Sequence, residues 1–135
     1  MSWKNFIDSL KRQKHPEALP VMFTGERRRG RVYVCLDDVM IDLRSDLRPG
    51  LWSDFEWGSA CLGAEQLAVA MLAAIYPDEV ALVLWRDFTR QAVLGFPHER
   101  WLFSVDSLDH WLRVWLRQAD LGESRERPKE VKKEE

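Results

Sequence analysis

The stretch from Leu62 to Trp85 constrains this chain most, because it is the longest run rich in apolar residues. Glu65, Gln66, Pro77, Asp78 and Glu79 interrupt it, and a spanning helix needs about 20 consecutive, mostly apolar residues. It therefore divides into two core helices. From Ala64 onward, Leu67, Ala68, Met71, Leu72 and Ile75 recur at helical spacing, with Glu65 and Gln66 in the first turn, where negative charge suits the helix dipole. Pro77 ends that helix and, followed by Asp78-Glu79, opens the next, since proline is accommodated at a helix start and not in its interior. Val80, Ala81, Leu84, Trp85, Phe88 and Ala92 continue one face until Gly95 and Pro97. A helical hairpin over 64–94 is the expected centre of the fold.

Other elements are arranged around it. Trp3, Phe6, Ile7 and Leu10 share a helical face, predicting an N-terminal amphipathic helix within 1–15, capped by Ser2 and stopped at His15-Pro16. Val21–Thr24, the arginine-rich Gly25–Gly30 and Arg31–Leu36 read as a hairpin with Val32, Val34 and Leu36 on one face, because strand side chains alternate. Asp37-Asp38 makes a second turn into Val39–Leu43. Arg44 to Cys61 is irregular, with Pro49-Gly50 as a turn and the rings of Trp52, Phe55 and Trp57. Trp101–Phe103 is a candidate fourth strand; Ser104 or Asp106 then caps a last helix striped by Leu108, Trp111, Leu112, Trp115 and Leu116. The expectation is α+β: a small antiparallel meander of three to four strands packed on a helical hairpin, with N- and C-terminal helices. One domain spans 20–119. Residues 122–135, almost devoid of aliphatics, read as a disordered charged tail.

Composition mainly excludes. The chain has 135 residues, 20 Lys or Arg and 22 Asp or Glu, for a net charge of -2. That length suits one domain with its own core, and the charge argues against a generic nucleic-acid or membrane-surface binder. Cys35 and Cys61 lie among apolar neighbours without metal-ligand spacing, which predicts buried, reduced thiols. Charges break up the N-terminal apolar residues, so no signal segment or membrane contact is expected and the location reads as cytoplasmic. His15, His98 and His110 share no short spacing with a cysteine or with one another, and no serine lies in a GxSxG turn. Gly25–Gly30 is followed by no Lys-Ser or Lys-Thr. No catalytic residue, metal or cofactor is expected.

Charge patterning points to the surface. Arg27, Arg28, Arg29 and Arg31 crowd one turn and could grip carboxylates or phosphates, or simply solvate the hairpin. Asp37, Asp38, Asp42, Asp46, Asp54 and Glu56 fall within twenty residues, giving an expected acidic end opposite the arginines. Turns also attract aspartate for local hydrogen bonds. Of seven tryptophans, Trp85, Trp111 and Trp115 read as core, while pattern does not fix Trp3, Trp52 and Trp101: each packs in the core or, if exposed, is a candidate contact, with Trp52 and Trp101 the partner-binding candidates.

Phe55-Glu56-Trp57-Gly58, then Gly63, then Gln66-Leu67-Ala68-Val69-Ala70-Met71-Leu72 resembles the signature of a small uncharacterised family, a domain of unknown function found in bacteria, archaea and phages, often on mobile elements. The resemblance covers about residues 22–112. It departs from the family pattern at Ser59 and over Cys61–Glu65, where a tyrosine and a glycine-rich run are expected. Physically, Gly63 allows a tight turn into the helix, Phe55 and Trp57 pin the preceding loop, Gly58 brackets that loop, and Gln66 satisfies loop backbone.

The resemblance implies no reaction or cofactor. It implies a mobile-element setting, so the expected function is a non-enzymatic interaction module that binds a host protein or complex, such as an accessory or anti-defence inhibitor of a CRISPR or restriction complex. A nucleic-acid accessory role through Arg27–Arg31 is the alternative. A carboxylate enzyme using Asp54, Glu56 and Gln66 is third, and requires a raised carboxyl pKa. A homodimer is possible.

Overall fold

A helix that is apolar on every side has to be enclosed, and this requirement organises the chain. The computed structural model describes residues 3–10, 20–48 and 54–131. In order these form α1 (Trp3–Leu10), β1 (Met22–Arg28), β2 (Arg31–Leu36), β3 (Val39–Met40), α2 (Leu62–Ile75), α3 (Asp78–Gln91), a 3-10 turn (Val93–Gly95), β4 (Arg100–Ser104) and α4 (Val105–Val131). Eleven of the fourteen residues of α2 are buried. The sheet, α3, α4 and α1 supply their core from Phe23, Val34, Val80, Leu84, Phe88, Leu108, Leu112 and Phe6. No helix among the described residues is long and apolar enough to cross a membrane.

The sheet is antiparallel throughout, in the order β3-β2-β1-β4. Two-residue turns close both hairpins: Arg28 pairs with Arg31 around Arg29-Gly30, and Leu36 pairs with Val39 around Asp37-Asp38. All four turn residues have positive φ, as twisted strands joined by two residues require. The Asp37 carboxylate also accepts the backbone N–H groups of Val21 and Met22 at 3.0 Å each, fastening the second turn to the start of β1. Alternation sends Phe23, Val34 and Trp101 into the core and leaves Thr24, Cys35, Met40 and Leu102 in one row on the outer face.

The α+β expectation holds, and Trp101–Phe103 does belong to a fourth strand. Several boundaries differ. β1 runs on through Arg28, so Arg27 is a strand residue and not part of the tip. β3 is only two residues long, because the backbone turns away to meet α2. Cys35 and Cys61 are free but half-buried. Phe6 joins the common core and packs on Trp115 with ring centroids 5.8 Å apart, so α1 is no separate appendage; residues 11–15 of that expected helix lie outside the described residues. Ser104 provides the cap of α4, its hydroxyl accepting the Ser107 N–H at 2.9 Å. α4 then continues past Leu121 to Val131, into the segment expected to be disordered. Glu, Arg and Lys are good helix formers, and extending an existing helix avoids the cost of nucleating one.

Gln66 is the one fully buried amide of α2. Its Nε2 donates to the carbonyls of Leu43 and Arg44, as the motif reading anticipates. Replacing it with Leu leaves both carbonyls without a donor, a penalty of about 1–3 kcal/mol for each unsatisfied group. The Gln66→Leu variant is expected to unfold at a lower urea midpoint with an unchanged m-value, a loss of about 2 kcal/mol or more.

Candidate interaction surface

The Phe55-Glu56-Trp57-Gly58 motif is a clasp closed by an arginine. Glu56 receives both terminal nitrogens of Arg27 in a bidentate pair, and a carboxylate oxygen also accepts the Trp57 N–H at 3.0 Å. Arg27 lies 4.6 Å above the Trp57 ring and donates from Nε to the His98 carbonyl at 2.8 Å. That same carbonyl accepts the Trp57 indole N–H at 2.9 Å. One guanidinium thus joins β1, the motif loop and the approach to β4. Its hydrogen bonds hold Glu56 below the ordinary carboxylate range, and Glu56 in turn raises Arg27.

Two glycines let this clasp close. A Cβ at Gly63 would lie 2.7 Å from the Glu56 Cβ and 2.8 Å from the Asp54 carbonyl oxygen, so its role is close approach of the motif loop to α2 and not the tight turn expected of it. Gly58 has φ +86 and donates its N–H to the Val93 carbonyl at 3.2 Å. Phe55 and Trp57 are buried beneath the loop, as the pinning role requires.

Several charges are paired locally. Arg44 bridges Asp46 and Asp78; those hydrogen bonds raise Arg44 and lower Asp46. Arg48 pairs with Glu65 at 2.9 Å and lies 4.0 Å over the Trp85 ring. Asp42 accepts the Arg44 N–H at 2.7 Å, and Asp37 is occupied by β1. Of the acids assigned to the acidic end, Asp37, Asp38, Asp42 and Asp54 are exposed, Asp37 and Asp42 while accepting backbone N–H groups, and Glu56 is half-buried on Arg27.

Of the arginines, Arg27 is withdrawn, and Arg28, Arg29 and Arg31 are exposed at the hairpin tip. Arg28 pairs with Glu26 at 2.8 Å and lies 4.3 Å over the Tyr33 ring. Trp101 is corrected from a partner contact to core, being 3% exposed. It stacks on Phe96 with centroids 4.2 Å apart and meets Trp57 edge-on at 5.7 Å. Trp52 lies outside the described residues. The arginine tip is joined by residues that the sequence did not single out: Tyr33 and Arg100, which flank Glu26 on the outer face, and beyond them Met40 and Leu102, 63% and 66% exposed. Strand alternation identifies them once Arg100–Ser104 is paired to β1.

A cleft of about 390 Å³ lies beside the clasp, lined by Arg27, Val32, Asp54, Glu56, Cys61 and Leu62 among others. It does not assemble the carboxylate site: Glu56 is shifted downward, opposite to the raised carboxyl needed, and Gln66 is spent on backbone carbonyls within the core. Among the described residues no group of three or more His, Cys, Asp or Glu is placed to hold a metal ion.

Two outcomes test the clasp. Because the folded Glu56 ionises more readily than the unfolded one, its contribution is complete above the unfolded value near 4.3 and fades as pH falls toward the lower folded value. Glu56→Gln is therefore expected to lower stability at pH 7 and to flatten the acid limb of a pH–stability curve. A Cβ at Gly25 would lie 2.1 Å from the Trp101 ring, so Gly25→Ala is expected to cost about 1–3 kcal/mol by denaturant titration.

Comparison with known proteins brings one match, to a family model described as a family of unknown function (DUF6166), over residues 23–114. No curated protein and no solved structure matches the chain. The matched span takes in all four strands, the clasp, α2, α3 and the first turns of α4, and the chain belongs to this family of unknown function.

Proposed function

We propose that this chain is a non-enzymatic protein-interaction module that receives an acidic surface of a host protein on the arginine end of its open sheet face. The division among its arginines carries this reading. Arg27, Arg44 and Arg48 are drawn into half-buried ion pairs, whereas Arg29, Arg31 and Arg100, together with Arg28 on its Glu26 partner, stand exposed around Tyr33. Forked guanidinium groups beside an aromatic ring suit carboxylates. Arg29 adds support: it occupies a left-handed position with φ 53, where asparagine or glycine is the favoured residue. A chain that keeps arginine there gives up local stability for a charge at the tip.

The setting assigned to this activity is that of a cytoplasmic accessory or anti-defence factor of a phage or mobile element, blocking a host complex such as a CRISPR or restriction assembly. That setting rests on the family resemblance, and the binding mode rests on the arginines.

The test is a host-lysate pull-down with the wild-type chain and with Arg28, Arg29 and Arg31 all changed to Ser, each with and without nuclease. Arg27 is left in place because it closes the clasp. A protein recovered after nuclease treatment and lost in the triple variant is the expected result. Recovery of nucleic acid, with an affinity falling steeply as salt rises, would replace it with the nucleic-acid reading; no partner above background would remove it. Separately, Arg29→Asn is expected to raise stability by about 0.5–1 kcal/mol while weakening capture of that partner.

A further inference from the structure

We infer that β4 is a self-association edge, pairing antiparallel with β4 of a second copy about a two-fold axis at Leu102 and joining two sheets into one of eight strands. This goes beyond the acidic-partner reading and does not depend on it. The hydrogen-bonding phase of β4 is set by its contacts with β1. Val105 donates to the Val21 carbonyl and Arg27 donates to the Glu99 carbonyl, so residues 99, 101, 103 and 105 direct their peptide groups toward β1. Those of Arg100, Leu102 and Ser104 point the other way, to the open side of the sheet. Among the described residues nothing pairs with that side of β4.

The two edges of the sheet differ. At the β3 edge the strand is only two residues long, and a short edge strand is one way a sheet avoids partners. β4 has five residues, with no proline, lysine or positive φ, and its central Leu102 is 66% exposed. An unpaired ladder of this kind is satisfied by another extended backbone, and the β4 sequence is complementary to itself. The two-fold sets Leu102 against Leu102 and Arg100 against Ser104 of the second copy, so no like charges face each other. On the outer face it prolongs the row Met40, Cys35, Thr24 and Leu102 into the same row of the second copy. A groove of about 480 Å³ touches β4 at Phe103 and is otherwise lined by Phe96 and by residues of α3 and α4, Trp111 and Val114 among them.

Sedimentation equilibrium over a concentration series tests the inference on the purified full chain. The average mass is expected to rise from the 15.9 kDa of one chain toward that of two. Leu102→Pro loses no bond to β1, since the Leu102 N–H points away from it, and proline is tolerated at a sheet edge. Leu102→Lys keeps the strand and sets two like charges across the axis. Both are expected to weaken self-association at least about tenfold while circular dichroism matches wild type. In the wild type, exchange of the Arg100, Leu102 and Ser104 amide hydrogens is expected to slow as concentration rises, a readout that needs no variant. Wild type remaining at one chain mass at its highest soluble concentration would overturn the inference. So would folded variants that associate as tightly as wild type, or exchange at these three amides that ignores concentration.

Discussion

The structure depends on enclosing a helix that offers no polar face to water. α2 is buried on nearly all sides, so whatever packs against it loses solvent as a hydrogen-bonding partner. The irregular segment after β3 has no regular ladder of its own, yet its Leu43 and Arg44 carbonyls lie against the first turns of α2. Gln66 supplies the donor. Without an amide at that position, the burial that stabilises α2 would be offset by orphaned carbonyls. Arg44, whose carbonyl it holds, turns its own side chain to Asp46 and Asp78, tying the same segment to the start of α3.

A second fastening meets α2 at Gly63. The Arg27–Glu56 pair is partly shielded, stacked on Trp57 and backed by the His98 carbonyl, so less of it is lost to solvent screening than in an exposed pair. Its neighbours are packed to match: Gly63 admits the motif loop, and Gly25 admits the Trp101 ring against β1. Phe96 and Trp57 then enclose that ring. The clasp and the aromatic cluster behave as one unit, so changes to Arg27, Glu56 or Trp57 are not expected to add independently.

Among the described residues, helices and loop gather on one side of the sheet, and the opposite face and the outer side of β4 are open. The open face is apolar along the Met40–Leu102 row and basic toward the hairpin tip. An antiparallel sheet tolerates one solvated face, so this exposure follows from the architecture, and the placement of arginine, tyrosine and leucine upon it gives the face its chemistry.

The sequence by itself determined the local elements. Apolar spacing marks the helices, Pro77 divides α2 from α3, the paired aspartates close one hairpin and the Gly25–Gly30 stretch marks the other without its exact turn, and the Phe-Glu-Trp-Gly motif and Gln66 belong to one structural unit. These are legible because periodicity and turn chemistry act over a few residues. Only the tertiary structure decided which charges are free. Arg27 and Arg28 are neighbours in the chain, yet strand alternation sends one to Glu56 on the inner side and leaves the other on the outer face. Trp101 lies in a short apolar stretch that periodicity does not orient, and its burial follows from pairing with β1 and the space left at Gly25. Long-range ion pairs are settled in the same way: Arg44 reaches Asp78, and such pairs are set by packing and not by local sequence.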